Sequence, residues 1–285
     1  MRYLAPASVD EAVSALAAEP GKTGILAGGT DLLVQMKTGL IEPDLIVDIK
    51  KINDLNAIRR ENGGFRIGAG VSGAQMGEHA ELARAWPGVV ESVNLIGSTQ
   101  IQGRATAAGN LCNASPAADS VPALIAASAV ASVAGPGGTR EIAVEDFIAA
   151  PGQSVLEKGE IVVSLFLPSR PEHASDAYER FIPRTEMDIA VVGVGISVDT
   201  SAEGEVKNAR VGIGAVAPTP LLVNEAADAI VGTKLDEEAL ERCASAAMAA
   251  CSPINDKRGT IDFRIKVAGA LAKRVAKRAY CRARG

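Results

Sequence analysis

The sequence predicts an α+β fold with two domains. In the first half, short apolar runs alternate with amphipathic helical patterns, which is typical of α/β organisation. In the second half, two long apolar runs flank a short polar turn, and helical patterns follow them to the C-terminus. The polar segment 169–177 contains Pro171 and separates the two halves. We therefore expect one domain at residues 1–172 and another at residues 173–285.

Two capping boxes organise the N-terminal part. Ser8 and Glu11 precede a helix that ends near residue 20, and Ser72 and Gln75 precede a helix over residues 76–86. Between these helices, apolar runs bounded by polar or glycine-rich residues predict three buried strands, at residues 24–28, 45–49 and 65–71.

Beyond residue 120 the pattern changes to short strands and turns. Strands are expected at residues 128–135, 140–144 and 160–168, and a hairpin at residues 188–216 that turns at 201–205. Helices are expected to begin at Asn224, Asp236 and Thr260. The last helix is rich in Lys and Arg near its C-terminus, which favours a solvated face that complements the helix dipole, with an acidic partner as the alternative.

Composition excludes several classes of protein. A net charge of −5, a pI of about 5.3 and 3% aromatic residues disfavour nucleic acid as a partner. No apolar run is long enough to span a bilayer, and residues 1–13 show no basic segment followed by a long apolar one, so we expect a cytoplasmic protein. Four scattered cysteines and two histidines predict no metal site. No triad or paired carboxylates appear, so no catalytic side chain is predicted.

Two glycine patterns are poor candidates for a nucleotide site. Residues 68–73 match GxGxxG after a strand, but no second strand that ends in an acidic residue follows at the required distance. The GKT at residues 21–23 lacks the leading glycine of a phosphate loop, since position 16 is Leu. Neither pattern predicts a nucleotide fold.

The stretch AGGTD, residues 27–31, is a better candidate. Glycines at a strand-to-helix junction let backbone N–H groups approach a phosphate, and Thr30 adds a hydroxyl donor. The alternative is a plain βα turn capped by Thr30 or Asp31. Residues 96–124 are rich in Gly, Ser, Thr and Asn and have too little periodicity for regular structure, which indicates a ligand-lining loop. Together the two segments predict a nucleotide-like cofactor with two phosphates.

These segments also carry a family resemblance. AGGTDLLVQMK and QIQGRATAAGNLCNASPAAD resemble the FAD-binding medium subunit of the molybdenum hydroxylases, which include xanthine, aldehyde and carbon monoxide dehydrogenases and bacterial heteroaromatic hydroxylases. RTEMDIAVVGVGI, VKNARVGIGAV and PINDKRGTIDFR are similar to further family segments in the same order. The resemblance implies a PCMH-type (vanillyl-alcohol oxidase-like) FAD domain of two α/β subdomains, and then a domain with an antiparallel sheet and helices.

The resemblance also implies a function and partners. The chain would transfer electrons through FAD, from the [2Fe–2S] clusters of a small subunit to NAD or another acceptor such as a quinone. A large molybdopterin subunit would hydroxylate the substrate, and the complex would be a dimer of heterotrimers. Two alternatives remain: an independent flavoprotein oxidoreductase of the same fold, and an assembly subunit that has lost FAD.

FAD contacts are implied residue by residue. The pyrophosphate is expected on the first turn, at Ile25, Leu26, Ala27, Gly28, Gly29, Thr30, Asp31 and Leu32. A second loop would cover the flavin and pyrophosphate, with Thr106, Ala107, Ala108, Gly109 and Asn110. The remaining contacts are Asp119 near the adenosine sugar, Ala69 at the ring, Ile96 and Gly97 ahead of the second loop, and Ile189 and Lys207 from the C-terminal domain.

Some of these positions have plainer explanations. Asp119 could cap a helix, Ile189 could be strand core and Lys207 could be a solvated lysine. Ala108 replaces a common family glycine and Gly103 a common asparagine. A methyl group at position 108 fits only if that residue keeps a negative φ.

Overall fold

The N-terminal domain begins with a small parallel sheet. The computed structural model describes residues 1–285. The sheet has the order β1-β3-β2, and α1 and α2 connect its strands along the chain. Ser8 Oγ accepts a hydrogen bond from the Glu11 N–H, so α1 begins where the capping box predicts. The bounds are β1 Arg2–Leu4, α1 Val9–Ala18, β2 Thr23–Leu26, α2 Leu32–Lys37 and β3 Leu45–Asp48.

A five-stranded antiparallel sheet forms the second subdomain. Its order is β4-β5-β10-β6-β7, and β8 and β9 form a separate two-stranded ribbon. Because β5 lies in an antiparallel sheet, the GxGxxG match at its end is not part of a βαβ unit. The bounds are β4 Ile58–Glu61, β5 Gly64–Gly68, β6 Val130–Gly135, β7 Gly138–Ala143, β8 Ile148–Ala150, β9 Gln153–Ser154 and β10 Ile161–Leu167.

Six short helices lie between β5 and β6 in the chain, and two of them, α5 and α8, pack against the C-terminal sheet. The helix expected over residues 76–86 is in fact two helices, because His79 has an extended backbone and its Nδ1 caps the second one by accepting from Leu82 N–H. The prediction that residues 96–124 lack regular structure was wrong, since three helices lie there. The bounds are α3 Gly73–Glu78, α4 Ala80–Ala85, α5 Pro87–Val93, α6 Thr99–Gln102, α7 Ala107–Cys112 and α8 Ser120–Ala126.

The C-terminal domain is an antiparallel sheet with helices, as predicted. The sheet has the order β11-β12-β13-β14, and β12 and β13 form the expected hairpin. Helix α11 packs on β11 and β12 and against α10, while α8 packs against β12 and β13. The bounds are β11 Ala174–Phe181, β12 Val192–Thr200, β13 Val206–Gly214, β14 Leu221–Leu222, α9 Asn224–Asp228, α10 Glu237–Ala249 and α11 Ile261–Ala283.

Close packing of α8 onto this sheet requires glycine. A Cβ at Gly212 would lie 2.2 Å from the Pro122 carbonyl oxygen, so the backbone of α8 approaches the strand directly.

The β11 strand begins just after the expected domain boundary, which lies between β10 and β11.

Most basic residues of α11 are paired within the chain. Lys273 contacts Glu237 and Glu241 of α10, and Arg274 and Arg278 contact Glu179 of β11. These ion pairs lie at the surface and within one chain, so they favour a solvated helix face over an acidic partner as the explanation of the basic run. None of the helices is both long and apolar enough to cross a bilayer.

Candidate functional site

A cavity of about 320 Å³ lies where the two subdomains meet. The turn between β2 and α2 forms one wall, and the segment around α7 forms the facing wall. Thirteen of the residues predicted to contact a cofactor line this cavity: Ile25, Ala27, Gly28, Gly29, Thr30, Asp31, Leu32, Ala69, Ile96, Thr106, Ala108, Gly109 and Asn110. The fold therefore brings together two sequence segments that lie about 80 residues apart.

The β2–α2 turn presents backbone donors. None of the N–H groups from Ala27 to Asp31 donates a hydrogen bond within the chain. Gly29 has a φ of +80°, a conformation that glycine adopts without strain. Asp31 stands at the N-cap of α2 but its side chain makes no capping bond, and its surroundings raise the pKa of its carboxyl by desolvation. The turn is therefore built differently from a side-chain-capped βα turn.

Contact between the two walls depends on Gly28. A Cβ at this position would lie 1.9 Å from the Arg104 carbonyl oxygen, inside any allowed contact. Glycine is thus required here by the neighbouring backbone, which fixes the separation of the two walls.

A polar network supports the turn from behind. Asp48, at the end of β3, accepts hydrogen bonds from Tyr3 Oη at 2.6 Å and from Lys50 Nζ at 2.7 Å. Lys50 Nζ also reaches the Ala27 carbonyl oxygen at 3.4 Å. Burial raises the pKa of Asp48, but the hydrogen bonds from Lys50 and Tyr3 outweigh it and lower that pKa. The network ties β1 and β3 to Ala27, the first residue of the turn after β2.

The facing wall is helical, which explains the alanine at position 108. Thr106 caps α7, its Oγ1 accepting from the Gly109 N–H at 2.9 Å. Ala108 lies within α7 and is not among the residues with positive φ. A methyl group is accommodated there without strain, so Ala108 gives no reason to expect that the cofactor has been lost.

Asp119 lies outside the cavity lining, in an ion pair. Its Oδ2 is 2.7 Å from Arg180 Nη1 of β11. Burial raises the pKa of Asp119 to about 6, although Arg180 opposes this shift. Asp119 occupies the N-cap of α8 but makes no side-chain capping bond. Its Oδ1 is buried with no hydrogen-bond partner in the chain.

Five other predicted residues do not line the cavity. Leu26, Gly97 and Ala107 are sequence neighbours of lining residues. Ile189 is 51% exposed, in the loop before β12, and is therefore not strand core. Lys207 lies on β13 and pairs with Glu205 at 2.9 Å. A cofactor role for these five stays a prediction.

The sequence reasoning missed several lining residues. Gln35 and Asn113 face each other across the cavity edge, with 3.0 Å between Gln35 Nε2 and Asn113 Oδ1. Gln35 is one helical turn after Asp31, and this spacing is the signal that could have found it. The others are Thr23, Gly24, Ile49, Ala105, Cys112, Leu156, Ile161 and Val162.

The chemistry of the lining fits FAD. Five successive unpaired backbone N–H groups suit the two charges of a pyrophosphate, because unsatisfied donors in a turn attract anions. Apolar side chains suit an aromatic ring system, and they are contributed by Ile49, Ala69, Ile96, Ile161 and Val162. The same cavity thus offers both environments that a flavin dinucleotide needs.

The chain is similar to known proteins along almost its whole length. A family model described as the FAD binding domain in molybdopterin dehydrogenase matches residues 1–170, and the CO dehydrogenase flavoprotein C-terminal domain matches residues 177–279. The chain is 34% identical over 283 residues to the carbon monoxide dehydrogenase medium chain of Afipia carboxidovorans, covering 99% of this chain and 97% of that one.

Two further relatives extend the comparison. The xanthine dehydrogenase FAD-binding subunit of Escherichia coli O157:H7 is 29% identical over 285 residues, covering 99% of this chain and 97% of that one. A chain of the cyanide-inactivated Cu,Mo-CO dehydrogenase superposes with a TM-score of 0.95 at 32% identity, covering 99% of this chain and 98% of that one. The predicted PCMH-type fold with its C-terminal domain is confirmed.

Proposed function

The chain belongs to the FAD-binding medium subunits of the molybdenum hydroxylases, and from this we propose that it transfers electrons from the [2Fe–2S] clusters of a small subunit to NAD or another acceptor. It is an FAD-dependent oxidoreductase subunit. The single observation that supports the proposed binding site is the row of unpaired N–H groups from Ala27 to Asp31 on the cavity wall.

Each wall has its own part in binding. The turn at residues 27–31 would hold the pyrophosphate through its backbone N–H groups, and Thr30 would add a hydroxyl donor. Thr106 and Asn110 would hold acceptor groups from the facing wall. Ile96 and Ile161 would exclude water from the ring, and Ala69 leaves room beside it.

FAD, when bound, supplies redox chemistry that joins one-electron and two-electron steps. The chain's own residues need only bind, orient and shield the cofactor. This division of labour agrees with a cavity whose lining contains one carboxylate, Asp31, and no histidine.

Partners are proposed on the same basis. One relative is named a medium chain and another an FAD-binding subunit. We infer that this chain likewise joins a small [2Fe–2S] subunit and a large molybdopterin subunit, in a dimer of heterotrimers. The domain boundary at residue 172 and a cytoplasmic location stay predictions.

The first experiment is purification from the native host, with the subunits counted and the absorption spectrum recorded on one sample. Flavin and iron–sulfur absorbance together with two further chains would support the proposal. A yellow single chain that its own substrate reduces would indicate an independent flavoprotein. A colourless chain that takes up no added FAD would overturn the site.

A further inference from the structure

Asn110 is held in one orientation by Ser120. Asn110 lines the cavity, and its Oδ1 accepts two hydrogen bonds, from Ser120 N–H at 3.0 Å and from Ser120 Oγ at 2.7 Å. A backbone N–H can only donate, so the atom that faces it is the oxygen and not the nitrogen of the amide. Ser120 is fully buried and does not itself line the cavity.

The remaining polar atom of the Asn110 side chain is a donor. Its Nδ2 makes no hydrogen bond within the chain and is not a buried unpaired atom, so it is accessible from the cavity. Thr106 on the same wall is similar, because its Oγ1 already accepts from the Gly109 N–H and its hydroxyl proton remains free to donate. Both polar side chains therefore offer donors to a ligand.

We propose that Ser120 is a positioning residue for FAD binding that acts through Asn110. By occupying the amide oxygen, Ser120 turns the amide nitrogen toward the cavity, where it selects acceptor atoms such as phosphate oxygens or ring carbonyls. The proposal rests on the proposed FAD site. Ser120 would not contact FAD itself, but it would determine that Asn110 offers a donor and not an acceptor to the cavity.

The test is FAD binding to the full chain after the flavin has been removed, measured by fluorescence titration. Ser120→Ala removes one of the two bonds to Asn110 Oδ1. A neutral hydrogen bond contributes enough for the Kd to rise roughly 3- to 10-fold. Ser120→Thr keeps a hydroxyl and should restore most of the affinity. Ser92→Ala is the matched control, since Ser92 is also fully buried but bonds to the Val89 carbonyl in α5.

Asn110→Asp tests the donor nitrogen of the amide separately from its acceptor oxygen. The carboxylate still accepts from Ser120, so the local fold is kept, but the donor is replaced by an acceptor. We expect a loss of affinity of at least about 10-fold with an unchanged melting temperature of the FAD-free chain. If Ser120→Ala does not fold, Ser120→Cys carries the test, because a thiol has a similar volume but is only a weak donor.

A double-mutant cycle distinguishes positioning from general destabilisation. If Ser120 acts through Asn110, Ser120→Ala has no further effect on the Kd once Asn110→Ala is present. Additive effects, or a Ser120→Ala chain that binds FAD as tightly as the wild type, would overturn the inference and leave the FAD site intact. A wild-type chain that binds no FAD would overturn both.

Discussion

Arg180, on the first strand of the C-terminal sheet, forms an ion pair with Asp119 at the start of α8, with 2.7 Å between Nη1 and Oδ2. Only 4% of the Arg180 side chain and 12% of the Asp119 side chain are exposed. The pair joins the two domains beside the segment that holds Asn110, since the next residue, Ser120, bonds to that amide. Burial nevertheless raises the pKa of Asp119 to about 6.

This pKa predicts a pH dependence of stability. The folded pKa of about 6 is above the ordinary value of 3.8, so the folded chain binds the proton more tightly than the unfolded chain. The contribution of Asp119 is therefore fully present below pH 3.8 and is lost as pH rises to about 6, on the order of 2–3 kcal/mol in all. Urea unfolding of the wild type and of Asp119→Asn between pH 4 and pH 7 measures it. Parallel stability curves for the two chains would contradict the prediction.

Gly28→Ala should disrupt the cavity. The new methyl group would lie 1.9 Å from the Arg104 carbonyl oxygen, so one wall must move. We expect the Kd for FAD to rise at least about 10-fold, since displaced backbone donors no longer match the pyrophosphate. Gly103→Ala is the control, because no atom lies within 4 Å of its added Cβ and its φ is −67°. Equal affinities in the two variants would show that the spacing of the walls is unimportant.

Local rules predicted the fold well where one segment carries its own signal. The buried strands, the hairpin and the helices that begin after Asp236 and Thr260 follow from periodicity and capping. Strand β4 was missed because its sequence, IRRE, has one apolar residue and therefore shows no apolar alternation. The Asn62-Gly63 turn that follows is the hairpin signal that could have found it. Helices α6 and α7 were missed because they are only four and six residues long, which is too short to show an amphipathic period.

The site was less accessible from sequence than the fold. Two motifs predicted both walls, but the contact of Gly28 with Arg104 depends on tertiary packing between distant segments. The same holds for the bonds from Ser120 to Asn110, ten residues apart in the chain, and for the support from Tyr3. Capping and periodicity describe neighbours along a helix or strand and do not report such contacts.

Arg170→Ala should be strongly destabilising. The Arg170 guanidinium lies 4.0 Å above the Trp86 ring and pairs with the buried Asp176 at 2.8 Å. Without the guanidinium, the buried Asp176 carboxylate keeps its hydrogen bond from the Val89 N–H but has lost its Arg170 partner. An unpaired buried charge of this kind lowers the free energy of unfolding by about 3–5 kcal/mol. Urea unfolding measures the loss of free energy.

Arg184→Ala provides the comparison for that measurement. Arg184 pairs with Asp188 but is 69% exposed, so its removal should cost less than about 1 kcal/mol. A similar small loss of unfolding free energy for Arg170→Ala would show that the contacts of Arg170 with Trp86 and Asp176 do not stabilise the chain.

Cys112 offers a chemical test of the cavity as the FAD site. Its thiol is on the cavity wall and the residue is exposed in the FAD-free chain, so a maleimide should label it near pH 8. With FAD at about ten times its Kd, the fraction of free cavity falls roughly tenfold, and labelling of Cys112 should slow in proportion. Cys281 is exposed on α11 and does not line the cavity, so its labelling rate, measured in the same digests by mass spectrometry, should not change. Gly28→Ala should reduce the protection from about tenfold to about twofold or less at the same FAD concentration, since its Kd is expected to be at least about 10-fold higher. FAD that binds by fluorescence but leaves Cys112 labelling unchanged would argue against this cavity as the cofactor site.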